Sequence, residues 1–308
     1  MKKLLFLCLF GVLSASCIDK DYDLTDIDTD GIAVGSATSR FTVPLVTVTV
    51  ALDDIHDSEG SLQEMLDEAD IWLPSQLPGG AKYVDFARLY VDDAYLGELT
   101  GTLIEEMGRS DERLNKVADL AWRSYKKDFL ALLGLSEASV DKTRFKEAFV
   151  KLFATNAALR QQTEASARKY LQLLNVSDLS YELGSLDLGE VLDMLTKNLD
   201  PQGTADPVNT LSIEGRVEST LPLSMRLSPV FTPTGLVLSP FTVEVDATTE
   251  IPSTRIYAED LRALTEASNV KIVVPVELQR YHPGRKLDPN PISIRLNLVK
   301  TGSLNLDI

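Results

Sequence analysis

The sequence predicts an α+β fold, an antiparallel β-sandwich-like domain interrupted by an inserted helical hairpin or small helical bundle. Three observations predict it. Apolar residues alternate with period two near both ends, as in Phe41, Val43, Leu45 and again in Ile292, Ile294, Leu296, Leu298. From about residue 97 the apolar spacing changes to three or four. Strands on either side of a helical block each need partners, and pairing them across the block supplies them most simply.

Taken in order, "RFTVPLVTVTVAL" is a strand whose apolar set changes parity between Leu45 and Val46, just after Pro44, as a bulge near a sheet edge requires. Ser61-x-x-Glu64 is a capping box that opens a short helix. "KYVDFARLYV" returns to strand-like alternation. Ser110, Asp111 and Glu112 supply the N-cap and acidic first turn of a helix of some 23 residues that ends at Gly134. Asp141 opens a second long helix running through Leu174, and the short segment between the two predicts an antiparallel hairpin. A third, shorter helix starts at Ser185 and stops before Pro201. Strands then resume. Val270, Ile272, Val274, Val276 and Leu278 alternate, with Pro275 placing that strand at an edge because proline has no N–H to donate. A last short strand follows Thr301-Gly302. The resulting division is 1–16 signal peptide, 17–35 acidic tether, 36–95 plus 205–308 discontinuous sandwich, and 96–204 helical insertion.

The chain opens Met1-Lys2-Lys3 and is then almost wholly apolar from Leu4 to Leu13. That run is too short for a bilayer core needing about 20 apolar residues. Small residues Ser14-Ala15-Ser16 precede Cys17. These residues resemble a bacterial lipoprotein leader, with one departure: the usual leucine three before the cysteine is Ser14, and Leu13 lies one further back. The resemblance implies lipidation of Cys17 by diacylglycerol and acylation, for instance by palmitate, of the new amino terminus. At ~0.8 kcal/mol per buried methylene, two or three chains hold a protein stably on membrane lipid. Asp19, Asp21, Asp23, Asp26, Asp28 and Asp30 follow against a single Lys20, a composition that predicts an extended, self-repelling tether.

An acidic stretch behind a lipidated cysteine resembles the signal that sends Bacteroidetes lipoproteins to the outer face of the outer membrane. "DYDLTDIDTDGIAVG" followed by "FTVPLVTVTVALDDI" resembles the opening of a family of Bacteroidales lipoproteins, over residues 17 to about 55. The resemblance implies a lipid-anchored outer-membrane protein at the cell surface, or alternatively on the periplasmic face. It carries no established activity with it.

Composition narrows the chemistry. Cys8 leaves with the leader and Cys17 is consumed by lipid, so no thiol remains for disulfides, thiolate metal sites or nucleophilic catalysis. His56 and His282 are the only histidines. A net charge of −16 repels phosphate backbones, so nucleic acid is not expected as a partner. Asp26-x-Asp28-x-Asp30-Gly31 copies the first half of an EF-hand loop, but Ala37 stands where the bidentate glutamate belongs. Asp53-Asp54, Asp92-Asp93 and Glu105-Glu106 are adjacent in sequence, so their side chains point apart and are expected to be surface charge rather than a hydrolytic pair. No catalytic, cofactor-binding or metal residue is therefore assigned, and no cofactor is expected.

Three places remain as candidates. His282, with Arg280, Tyr281, Arg285 and Lys286, forms the only local excess of positive charge, which either draws an anionic ligand or balances acidic neighbours. Trp72 is either a stacking platform for a sugar or a wedge at one end of the sandwich. Trp122 belongs to packing between elements, and His56 to the surface at a strand end. The expected function is binding or assembly on the outer membrane with a protein or glycan as ligand. A carbohydrate-active lipoprotein and a structural subunit of a surface assembly are the alternatives.

Overall fold

The computed structural model describes residues 30–52, 55, 61–176, 178–186, 188–189 and 191–307. Cys17, the aspartates from Asp19 to Asp28, the Asp53-Asp54 pair and His56 lie outside the described residues.

The central sheet is built on β13 (Ile292–Thr301). One neighbour is β2 (Arg40–Val50) and the other is β5 (Thr210–Ser219), which in turn pairs with β10 (Thr248–Ile256), all antiparallel. Strands from opposite ends of the sequence thus share one ladder. The bulge expected at Pro44 is present: Val46 pairs with Leu296 and Pro44 with Asn297, leaving Leu45 as the extra residue. That insertion lets Val43 and Leu45 pack against the core together with Val48 and Val50. β2 lies at the sheet edge, as expected, and β10 forms the other edge with its own register shift spanning Pro252.

Two further four-stranded sheets share one interrupted ladder. β6 (Leu223–Leu227) pairs with β12 (Val276–Tyr281), while β7 (Val230–Thr232) pairs with β11 (Val270–Val274). Between them Ser228 and Pro229 face Pro275, and only the Ser228 N–H bridges to the Pro275 carbonyl, at 3.3 Å. Pro275 therefore does not mark an edge. β11 is flanked by β7 and β4 (Leu179–Gly184), and β12 by β6 and β3 (Val84–Asp85). The residue lacking an N–H is placed where the chain leaves one sheet for the next, so no ladder bond is lost. β8 (Leu236–Val237) and β9 (Phe241–Val243) complete the two sheets. A separate pair joins β1 (Asp30–Val34) to β14 (Leu304–Asp307). Asp30, the last acid of the expected tether and EF-hand-like run, is thus already strand.

The helical block lies between β2 and β4. It comprises α1 (Leu62–Trp72), α2 (Phe86–Val91), α3 (Asp93–Met107), α4 (Asp111–Ser124), α5 (Lys126–Leu130), α6 (Lys142–Phe153) and α7 (Ala157–Leu173). Caps fall where expected. Ser61 and Glu64 form the capping box, Ser110 accepts from the Arg113 N–H at 3.2 Å, and Asp141 from the Arg144 N–H at 2.8 Å. The two long helices of the expected hairpin are each broken, which makes the insertion a small bundle. Tyr125 leaves helical geometry (φ −127°, ψ 13°) and splits the first. Asn156 splits the second by capping α7 and donating its amide to the Leu132 carbonyl at 3.2 Å. "KYVDFARLYV" is strand only at β3. Its Val84 and Phe86 are buried, but so is Leu89, a helical step beyond, and Asp85 caps α2. The third helix is α8 (Val191–Thr196), and α9 (Ala258–Glu266) joins β10 to β11.

One hydrophobic cluster runs through sheets and helices alike, from Val48 and Leu298 to Trp72, Phe129 and Phe149. The helical block is thereby cemented onto the sheets rather than hung from them. Among the described residues no helix is long and apolar enough to cross a membrane.

Candidate functional site

A cleft of about 750 Å³ opens on the helical block. α1 forms its floor through Glu64, Met65, Asp67, Glu68 and Ile71, while the ends of α4 and α7 form its walls through Arg123, Tyr125, Lys169, Tyr170 and Leu173. The helical period places residues 64, 68 and 71 on one face of α1, so the fold exposes a single stripe of that helix.

The floor is rigid because its polar groups hold one another. Glu68 Oε1 accepts from the Tyr125 hydroxyl at 2.6 Å and from the Trp72 indole N–H at 3.2 Å. Burial, and then the Glu68 carboxylate, push the Tyr125 hydroxyl far above its ordinary range, so it stays a donor. Tyr170 donates to the Met65 carbonyl at 2.7 Å, and Asp67 accepts from Gln63 at 2.8 Å. The carboxylates facing the cleft therefore serve its walls.

The lip is different. Leu173 is 70% exposed, and Tyr90, itself 45% exposed, donates its hydroxyl to the carbonyl of the adjoining Leu174. Arg123 and Lys169 face the cleft without an ion pair among the described residues. This conjunction of apolar surface and unmatched cations cannot be read locally, because residues about 50 positions apart supply it.

The residues singled out in the sequence lie elsewhere or serve the core. Trp72 is fully buried, its ring edge-on to Tyr125 at 5.5 Å, which rules out the sugar-platform reading. Trp122 packs on Phe145 at 5.5 Å between α4 and α6, as expected. Asp92 caps α3 through the Tyr95 N–H at 2.9 Å, which with Arg88 holds its carboxyl below the usual range. Glu105 pairs with Arg109, while Glu106 accepts from the Ser75 N–H at 2.7 Å, so those adjacent acids do point to different partners.

The basic loop is largely matched. Arg285 pairs with Asp246, Arg280 lies 3.8 Å from Glu244, and the His282 ring stands edge-on to Tyr83 at 5.5 Å. Lys286 and Arg285 border a smaller cavity of about 430 Å³ with Asp246 and Asp288. Tyr281 is buried and donates to Asp70 Oδ1 at 2.5 Å, and the Gly284 N–H reaches both Asp70 oxygens at 3.0 Å. Asp70 thus bolts the loop to α1. Burial raises its pKa, against the lowering effect of those two donors. Nothing in "DEADIW" distinguishes Asp70 from its acidic neighbours, since its partners lie more than 200 residues away.

Among the described residues no group of three or more His, Cys, Asp or Glu side chains is placed to hold a metal ion. No protein-family model matches this chain, and no curated protein matches it.

Proposed function

We propose that this chain is a lipid-anchored cell-envelope protein, held at the outer membrane through acylated Cys17, that binds a partner with the cleft of its helical block. The cleft carries the reading: its lip combines exposed Leu173 with Arg123 and Lys169, two cations that converge from different helices and have no ion-pair partner among the described residues. Apolar surface rimmed by polar groups marks interaction sites. The leader ending at Cys17 and the aspartates behind it support the anchor and the surface location.

The alternatives draw less support. A hydrolytic site calls for two free carboxylates across a cavity, whereas Glu64, Asp67 and Glu68 project from one helix and each accepts an internal hydrogen bond. A subunit polymerising by strand addition calls for an open, regular edge. Both edges of the central sheet instead carry a proline beside a register shift, at Pro44 and Pro252.

Detergent-phase partitioning tests the anchor: the native protein is expected in the detergent phase and Cys17→Ala in the aqueous phase. Native protein in the aqueous phase would end that half of the reading. Photo-crosslinking in cells from residue 173 tests the cleft. A discrete adduct that the Arg123→Glu, Lys169→Glu double variant abolishes is expected; the same adduct surviving that variant, or none forming, counts against the cleft.

A further inference from the structure

Lys300 is a core residue in a position that normally takes a leucine. It sits on the central strand β13, fully buried, on the face it shares with Leu296 and Leu298. Its ammonium has three protons to place and, among the described residues, two acceptors in reach, both distant: the Lys197 carbonyl at 3.4 Å and Asn198 Oδ1 at 3.3 Å. Both follow the end of α8. A cation near the last carbonyls of a helix is favourable, but that role is open to an exposed side chain. Burying the ammonium adds a desolvation cost that two long hydrogen bonds offset poorly.

The surroundings of Asn198 are specific. Its backbone is held in the left-handed region at φ 55°, and its side-chain N–H donates to the Ser303 hydroxyl at 3.1 Å, which aims the carbonyl oxygen at Lys300. Asp200, two residues on, interacts electrostatically with Lys300. The Asn209 and Val208 N–H groups, at 2.8 and 2.5 Å, hold its carboxyl below the usual range, so it is an anion at neutral pH. Burial presses the Lys300 ammonium down to about 8, so an appreciable fraction is free amine near neutrality.

We propose that Lys300 and Asn198 form an intramolecular isopeptide bond. The Nζ lone pair attacks Cγ of Asn198 and one Nζ proton passes to Nδ2, while the negative charge of Asp200, beyond ion-pair distance of Nζ, stabilises the positive charge that develops on Nζ. The Cγ–Nδ2 bond then breaks and ammonia leaves. One amide replaces another, so the step needs no oxidant or co-reactant. The product is neutral, which removes the cost of the buried charge, and it ties α8 to the central strand across some hundred residues of chain.

Peptide mapping of the purified full-length protein tests this. A branched peptide joining the segment that contains Asn198 to Lys300, lighter than its two parts by one ammonia, is expected. It should vanish in Asn198→Ala and Lys300→Met, and accumulate at least tenfold more slowly in Asp200→Asn. Unbranched peptides with Lys300 open to acetylation after unfolding would overturn the proposal. So would loss of ammonia at Asn198 without a branch, which is the signature of a succinimide. The decisive measurement is made on the unmutated chain, so it does not depend on any variant folding.

Discussion

In two of the regions of this molecule where cations gather, the outcomes differ. In the loop from Arg280 to Lys286, Glu244 and Asp246 stand near Arg280 and Arg285, and Asp70 fixes the backbone at Gly284. At the cleft, Arg123 and Lys169 converge from two helices and meet no ion-pair partner among the described residues. The loop is conspicuous in the sequence and largely balanced in the fold, whereas the cleft is inconspicuous in the sequence and open in the fold. Whether a charge is available depends on what the fold brings opposite it, not on its neighbours along the chain.

That contrast can be broken at several points. The largest effect is expected from Asp70→Ala, which strands the buried Tyr281 hydroxyl and the Gly284 N–H; urea unfolding should show a loss of about 2–4 kcal/mol. Because burial raises the Asp70 pKa above the ordinary 3.8, the folded chain takes up this proton before the unfolded chain does. Its contribution to stability therefore grows as pH falls from the raised value toward 3.8. Asp70→Asn should flatten that part of the profile, and an unchanged slope would count against the raised value. A smaller effect is expected from Asp246→Ala, which releases Arg285 from a half-exposed pair and should cost under about 1 kcal/mol. Smallest of all, Arg123→Glu with Lys169→Glu should change stability by less than about 0.5 kcal/mol while abolishing partner capture. A large stability loss there would mean that the two cations hold the fold together instead.

The α+β class, the bulge after Pro44 and the caps at Ser61, Ser110 and Asp141 were legible because each depends on contacts within a few residues. The helix breaks were not. Tyr125 leaves its helix to reach Glu68, 57 positions away, and Asn156 caps one helix while bonding the end of another. Pro275 misled for a related reason: a missing donor is tolerated at an edge and equally between two sheets, and only the pairing on both sides distinguishes these cases. Local alternation in "KYVDFARLYV" was ambiguous because Val84 and Phe86 suit strand and helix start alike. Of the cleft, nothing was visible beyond the residues of its three helices.

The pairing of β1 with β14 has a mechanical consequence if the chain is moored upstream of Asp30. Tension arriving from the mooring is met by this two-stranded ribbon before it reaches the central sheet. The ribbon can give way first and lengthen the leash by about 3.3 Å for each residue released, leaving the rest of the molecule undisturbed. A shock at the attachment point would then be absorbed by a few sacrificial backbone bonds that re-form once the strain passes.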